Sequence, residues 1–236
     1  MHGRINYVNK SEMIFYCMYK NAILTLPQVY FAFSNGFSGH SIFDDLYIAN
    51  YNFLFTALPF LMRALFDQDI NLKVDGDHWR NKMPPLYAST VNNRSFDQTS
   101  FKSNGATSIA QSGFIYFIPV LILGLGDQYT MSLAMFTSMV LVVNMDLLLK
   151  SRYITLINII AVILTSIVPY FLFVWKSNYI VSSWMMNVVG HAIQSKTFFA
   201  TIVVTVAACF ATDVFFETYR QLLNPIVCDK IRKEVI

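Results

Sequence analysis

Residues 13–31 read MIFYCMYKNAILTLPQVYF, an apolar and aromatic run with one lysine, Lys20, eight residues after Glu12. At a rise of ~1.5 Å per residue, Lys20 lies roughly 12 Å along a helix begun at Glu12, too deep for easy escape to the near surface. Either the run is a soluble core helix, or the lysine has a task inside an apolar medium. Composition separates the two. Of 236 residues, 55% are hydrophobic and 13% charged, against roughly a quarter charged in soluble domains. Stretches 21–43, 46–62, 103–126, 128–145, 153–175 and 197–212 contain no Asp, Glu, Lys or Arg. Most approach or exceed the ~20 residues that cross a bilayer as a helix.

The expected fold is therefore all-α, a polytopic bundle of six transmembrane helices at about 12–35, 46–65, 102–124, 129–148, 154–175 and 197–216. Helices are required because lipid offers the backbone no hydrogen-bond partners, and the runs are too long for barrel strands. The polar start MHGRINYVNKSE and the lack of a small-residue cleavage site argue against a signal peptide. The whole chain reads as a single membrane domain.

Charge sets the orientation. Fourteen of the 17 Lys and Arg fall on the side that holds both termini, the 67–101 loop with its flanks, and 149–153; Lys176 and Lys196 fall on the other, and Lys20 within the membrane. By the positive-inside rule both termini are cytoplasmic, as are the 67–101 loop and the 217–236 tail. The uncharged 177–195 stretch reads as an outside loop with a short interfacial helix and Trp184 at headgroup level. A net charge of +3 comes mostly from this loop bias and implies no nucleic-acid partner.

Catalytic signatures are missing. GLGDQ at 124–128 lacks the strand that a phosphate loop needs in front of it. The histidines, His2, His40, His78 and His191, are scattered, and Cys17, Cys209 and Cys228 have no metal or redox spacing. No catalytic or metal-ligating residue is assigned, and no cofactor is expected on this chain.

The intramembrane polar residues remain. An ionisable group deep in a span costs ~2.5–3.5 kcal/mol on insertion scales and marks a substrate path or an internal partner. Asn21, Thr25 and Gln28, at i, i+4 and i+7, form a polar stripe beside Lys20, and Pro27 frees the carbonyl of Ile23 to bend the helix. In the second span Asn50, Asn52 and Thr56 give a matching polar edge, followed by Pro59. A hydrated groove suits these residues. The competing reading is structural: Lys20 snorkels or bonds a neighbouring carbonyl, and Asn52, Thr56, Gln111 and Ser112 bond between helices to lock the bundle.

A family pattern overlies these residues. HGR at 2–4, YKN at 19–21, Gln28, FSNGFSG at 33–39, DD at 44–45, YN at 51–52, FTALP at 55–59 and FDQD at 66–69 resemble, in order and spacing, the fifth and sixth membrane helices of the type IV P-type ATPases, the phospholipid flippases. Weaker similarity continues through Tyr87, Phe96, Gln111-Ser112 and the tail, so the six spans look like helices five to ten of that family. His40, Leu46 and Ala64 depart from the usual family residues.

The resemblance implies transport of phospholipid from the outer or lumenal leaflet to the cytoplasmic one, with Lys20, Asn21 and Asn52 on the headgroup path and Thr25, Pro27, Gln28 and Thr56 in support. It also implies a Golgi, endosomal or plasma membrane location. ATP and Mg2+ would act in the complete enzyme, on a catalytic portion absent from this sequence, and an accessory β-subunit is a further expected partner. The alternative function is a noncatalytic membrane protein that binds lipid or a partner.

Overall fold

The computed structural model describes residues 2–57, 59–61, 98–124, 127–151, 159–160, 162–177, 179 and 188–223. Most of the 67–101 loop, the start of the 154–175 stretch, Trp184 and the tail beyond residue 223 lie outside the described residues. No strand occurs among the described residues. The elements are α1 (His2–Ser34), α2 (Asp45–Asn50) running into a π-helical turn (Tyr51–Phe55), α3 (Gln98–Leu123), α4 (Gln128–Leu149), a second π-helical turn (Ile163–Ile167) leading into α5 (Val168–Ser177), α6 (Val188–Gln194) and α7 (Lys196–Leu223).

Among the described residues three helices are long and apolar enough to cross a membrane, over Ser100–Leu123, Gln128–Leu149 and Lys196–Tyr219. The chain is an integral membrane protein on that ground. α1 is the longest helix at 33 residues, but Lys20, Asn21 and Gln28 dilute its apolar run. The second sequence run is divided between α2, its π-helical turn and Pro59, and the fifth is described only in part, with Ile163–Ser177 as a shorter apolar helix. α1 begins at His2 where the sequence suggested residue 12, and α7 runs to Leu223 where it suggested 216. Helical hydrogen bonding thus outruns the apolar segment at both places, since polar residues can continue a helix beyond the region that lipid demands.

α4 is the centre of the bundle. Within its apolar window 78% is buried, against 39% for α3 and 33% for α7. α3 packs on α1 and α7, and α4 packs on α7 and α3. Around Phe136 of α4 stand Phe43, Tyr47, Tyr51 and Phe55, edge to face at centroid distances of 5.4, 5.2, 5.9 and 6.4 Å, and Tyr170, stacked at 6.1 Å. Such pairs favour offset and perpendicular geometries because ring edges and faces carry opposite partial charge.

The turn after α1 is built from backbone freedom. Gly36 takes φ +61°, so that Phe37 N–H can donate back to Ala32 O at 2.9 Å and close the helix end. Asp44 then caps α2, its Oδ1 accepting from Leu46 N–H at 2.9 Å.

Pro59 shapes the polar centre. Pro59 has no N–H for the carbonyl of Phe55, four residues before it. The helix responds by widening into the π-helical turn, and Thr56 Oγ1 donates back to Tyr51 O at 2.8 Å. Pro27 lies buried inside α1, which continues past it to Ser34.

Candidate functional site

The inner face of α1 presents Tyr16, Tyr19, Lys20, Ile23 and Phe31, all buried. Lys20 is therefore on the packed side of its helix, only 8% exposed. Its Nζ donates to Thr56 Oγ1 at 3.0 Å. An ammonium has three N–H donors and no acceptor, and among the described residues Thr56 is the one acceptor it meets and no ion pair engages it. A buried cation is thus held by a neutral hydroxyl.

Three more bonds fix the pair. Tyr51 OH donates to the backbone carbonyl of Lys20 at 3.0 Å, tying the π-helical turn to α1 at the lysine itself. Thr56 turns its own proton toward Tyr51 O, which leaves its lone pairs for the lysine. Tyr16 OH donates to Thr56 O at 3.3 Å, with its ring stacked on Phe60 at 5.2 Å.

The remaining sequence-derived residues sit apart from this bond set. Asn21 and Thr25 are exposed on the outer side of α1, where Thr25 Oγ1 bonds Asn21 O at 2.9 Å. Gln28 is half-buried, Pro27 is buried and Asn52 is exposed. The structure brings Lys20 and Thr56 together and joins neither the Asn21 nor the Asn52 side chain to them, although Thr56 Oγ1 also reaches Asn52 O at 3.5 Å. Tyr16 and Tyr51, which complete the clasp, are not among the site residues that the sequence singled out.

A second polar cluster lies between α1, α3, α4 and α7. Lys150 Nζ pairs with Asp146 Oδ1 at 2.8 Å and Oδ2 at 3.1 Å, reaches Asn104 Oδ1 at 3.3 Å and stands 4.9 Å over the Tyr19 ring. Tyr19 OH donates to Gln111 Oε1, and Gln111 Nε2 donates to Cys209 O at 3.2 Å. Asp213 of α7, also buried, lies in the field of Asp146 and Lys150. Gln111 thus bonds between helices, as the structural reading of that residue had it. Asp146 and Asp213 were not singled out in the sequence because each sits at the end of an uncharged run; the i, i+4 spacing of Asp146 and Lys150 and the lone aspartate in AACFATDVFF at 207–216 are the signals that point to them.

A model of the family "Phospholipid-translocating P-type ATPase C-terminal" matches residues 1–226. The chain belongs to the C-terminal region of the type IV P-type ATPases. Among similar flippase-family proteins, the "Phospholipid-transporting ATPase ID" of Mus musculus is 30% identical over 98% of this chain and 20% of the relative. The human protein of that name matches equally, and "Phospholipid-transporting ATPase IC" of Xenopus tropicalis is 28% identical over 99% of this chain and 20% of the relative. The chain thus spans about a fifth of the length of these P-type ATPases. Among the described residues no group of three His, Cys, Asp or Glu could hold a metal ion.

Proposed function

We propose that this chain is the membrane-transport part of a phospholipid flippase, which moves phospholipid from the outer or lumenal leaflet to the cytoplasmic leaflet when catalytic domains outside this sequence hydrolyse ATP. The observation that carries the reading is Lys20: a buried amine whose described partner is one neutral hydroxyl. Burying an uncompensated cation is costly, and the cost is offset when an anion arrives. A lipid phosphate is such an anion. It offers charge-assisted hydrogen bonds, roughly twice as strong as neutral ones, to the N–H groups that Thr56 leaves unused.

The steps within this chain follow from the clasp. Lys20 rests on Thr56; an entering headgroup phosphate competes for the amine, while the acyl chains stay in the bilayer. Asn21 and Asn52, exposed on α1 and on the π-helical turn, would offer amide donors along the same path. Return of the amine to Thr56 Oγ1 would weaken its hold on the departing lipid. Six spans equivalent to helices five to ten, cytoplasmic termini, residence in the Golgi, endosomal or plasma membrane, and an accessory β-subunit complete the proposal. They rest on the loop charges and the family resemblance. ATP and Mg2+ belong to the catalytic portion of the complete enzyme, and no step in this chain runs through either.

The test is reconstitution of the complete enzyme in vesicles. Phospholipid is expected to stimulate ATP hydrolysis and to move toward the ATP-facing leaflet, whereas diacylglycerol, which lacks the phosphate, gives less than about a tenth of the stimulation. Equal stimulation by diacylglycerol removes the amine–phosphate contact from the account. Thr56→Val, which deletes the resting acceptor that competes with the phosphate, is expected to lower the half-activating lipid concentration about three- to tenfold, the worth of one hydrogen bond. A lipid titration of that variant reads this directly.

A further inference from the structure

The carbonyl of Phe55, denied its helical donor by Pro59, belongs to a fully buried residue. An unserved carbonyl there is costly. Two other helical segments serve it. Ser166 Oγ donates to Phe55 O at 2.6 Å, and Asn144 Nδ2 reaches the same oxygen at 3.5 Å. Asn144 Nδ2 also donates to Ser166 Oγ at 2.8 Å and to Val140 O at 2.7 Å, so the amide and the hydroxyl fix each other. Ser166 itself lies in the second π-helical turn, Ile163–Ile167, which packs against the first. π-Helical turns are rare and concentrate at functional places; here two of them meet at one hydrogen bond.

Asn144 Oδ1 is buried and has no donor among the described residues. A leucine of similar size would pack there without that cost, so the value of the amide lies in its N–H groups. Register explains what they hold. A π-helical turn accommodates one extra residue, and its relaxation to α-helical bonding turns whatever follows by about 100°. Thr56 follows directly.

We propose that Ser166 and Asn144 are positioning residues which, by binding Phe55 O, hold the 51–55 turn in π register and so keep Thr56 Oγ1 under Lys20. This rests on the reading of Lys20 as the headgroup ligand.

The experiment is a phospholipid titration of ATPase activity in the full-length enzyme. Ser166→Ala is expected to lower the half-activating concentration about three- to tenfold, as Thr56→Val does, with kcat within about twofold, and Asn144→Leu to do the same. Ser166→Thr, which keeps the hydroxyl, returns the value to within about twofold of the parent. On a Thr56→Val background Ser166→Ala adds less than about twofold, because the hydroxyl it positions is gone. An unchanged half-activating concentration in both Ser166→Ala and Asn144→Leu overturns the proposal, as does an undiminished effect on top of Thr56→Val. A fall in kcat or folded yield alone, or loss of folding in both variants, marks the two residues as structural and overturns it as well. If Lys20→Ala leaves lipid activation untouched, the headgroup reading fails, while coupled Ser166 and Thr56 effects still support the positioning role.

Discussion

Lys20→Ala in the full-length enzyme raises the half-activating phospholipid concentration at least about tenfold. A hydrogen bond to a charged group contributes about 1.5–3 kcal/mol, and each 1.4 kcal/mol is a factor of ten. Alanine removes the whole ammonium, and Thr56 cannot replace it because a neutral hydroxyl gives the phosphate no opposite charge. Lys20→Arg keeps the charge and loses less, but its rigid planar fork differs from the compact ammonium that now reaches Thr56 Oγ1 at 3.0 Å.

Lys20→Met separates function from scaffolding. Methionine keeps the unbranched apolar stem and deletes a buried cation that meets no carboxylate among the described residues. Thermal stability is therefore expected to hold or to rise, while lipid activation falls. A lysine that merely locks the bundle gives the reverse: lower stability with lipid activation intact. A melting curve beside a lipid titration distinguishes the two.

The second large effect belongs to the other cluster. Lys150→Met strands Asp146, whose side chain is 2% exposed, and leaves it near a second buried carboxylate, Asp213. Breaking a wholly buried pair costs about 3–5 kcal/mol. Here the Lys150 side chain is 40% exposed, so water or headgroups screen part of the interaction and roughly 2–4 kcal/mol is expected. For a chain of this size that lowers the melting temperature by about 5–15 °C. Adding Asp146→Leu to Lys150→Met removes both charges and recovers most of the loss, since an apolar pair often equals a buried ion pair in stability. If the double variant is as unstable as the single one, the stranded Asp146 carboxylate is not the source of the loss.

The sequence disclosed the parts of this architecture that lipid itself enforces. Uncharged runs near 103–126, 128–145 and 197–212 became α3, α4 and α7 because a bilayer penalises every charge and every unpaired backbone group. Lys20 was legible for the same reason: its depth made it conspicuous. Its partner was less so. Thr56 was visible as a polar residue near Pro59, but its meeting with the amine depends on the π register of residues 51–55 and on hydroxyls and amides brought in from Asn144 and Ser166, far away in the chain. Periodicity within a helix carries no information about which distant helix answers a broken hydrogen bond.

The polar stripe is a similar case. Spacing placed Asn21, Thr25 and Gln28 on one face, but could not say that Asn21 and Thr25 lie exposed, off the packed side that holds Lys20, while Gln28 is half-buried. Asp146 and Asp213 escaped notice because each closes an apolar run, where a charge normally marks the membrane boundary. Packing of α4 and α7 against each other buries both.

The central claim is that phospholipid headgroups pass within reach of the Lys20 amine. The most direct measurement uses a phospholipid whose headgroup carries an amine-reactive ester, added to the turning-over enzyme and followed by peptide mass spectrometry. The account expects acylation of Lys20 that depends on ATP, is reduced by excess unmodified phospholipid and disappears in Lys20→Arg. Labelling confined to lysines such as Lys150 and Lys176, with Lys20 unmodified under every condition, would contradict it.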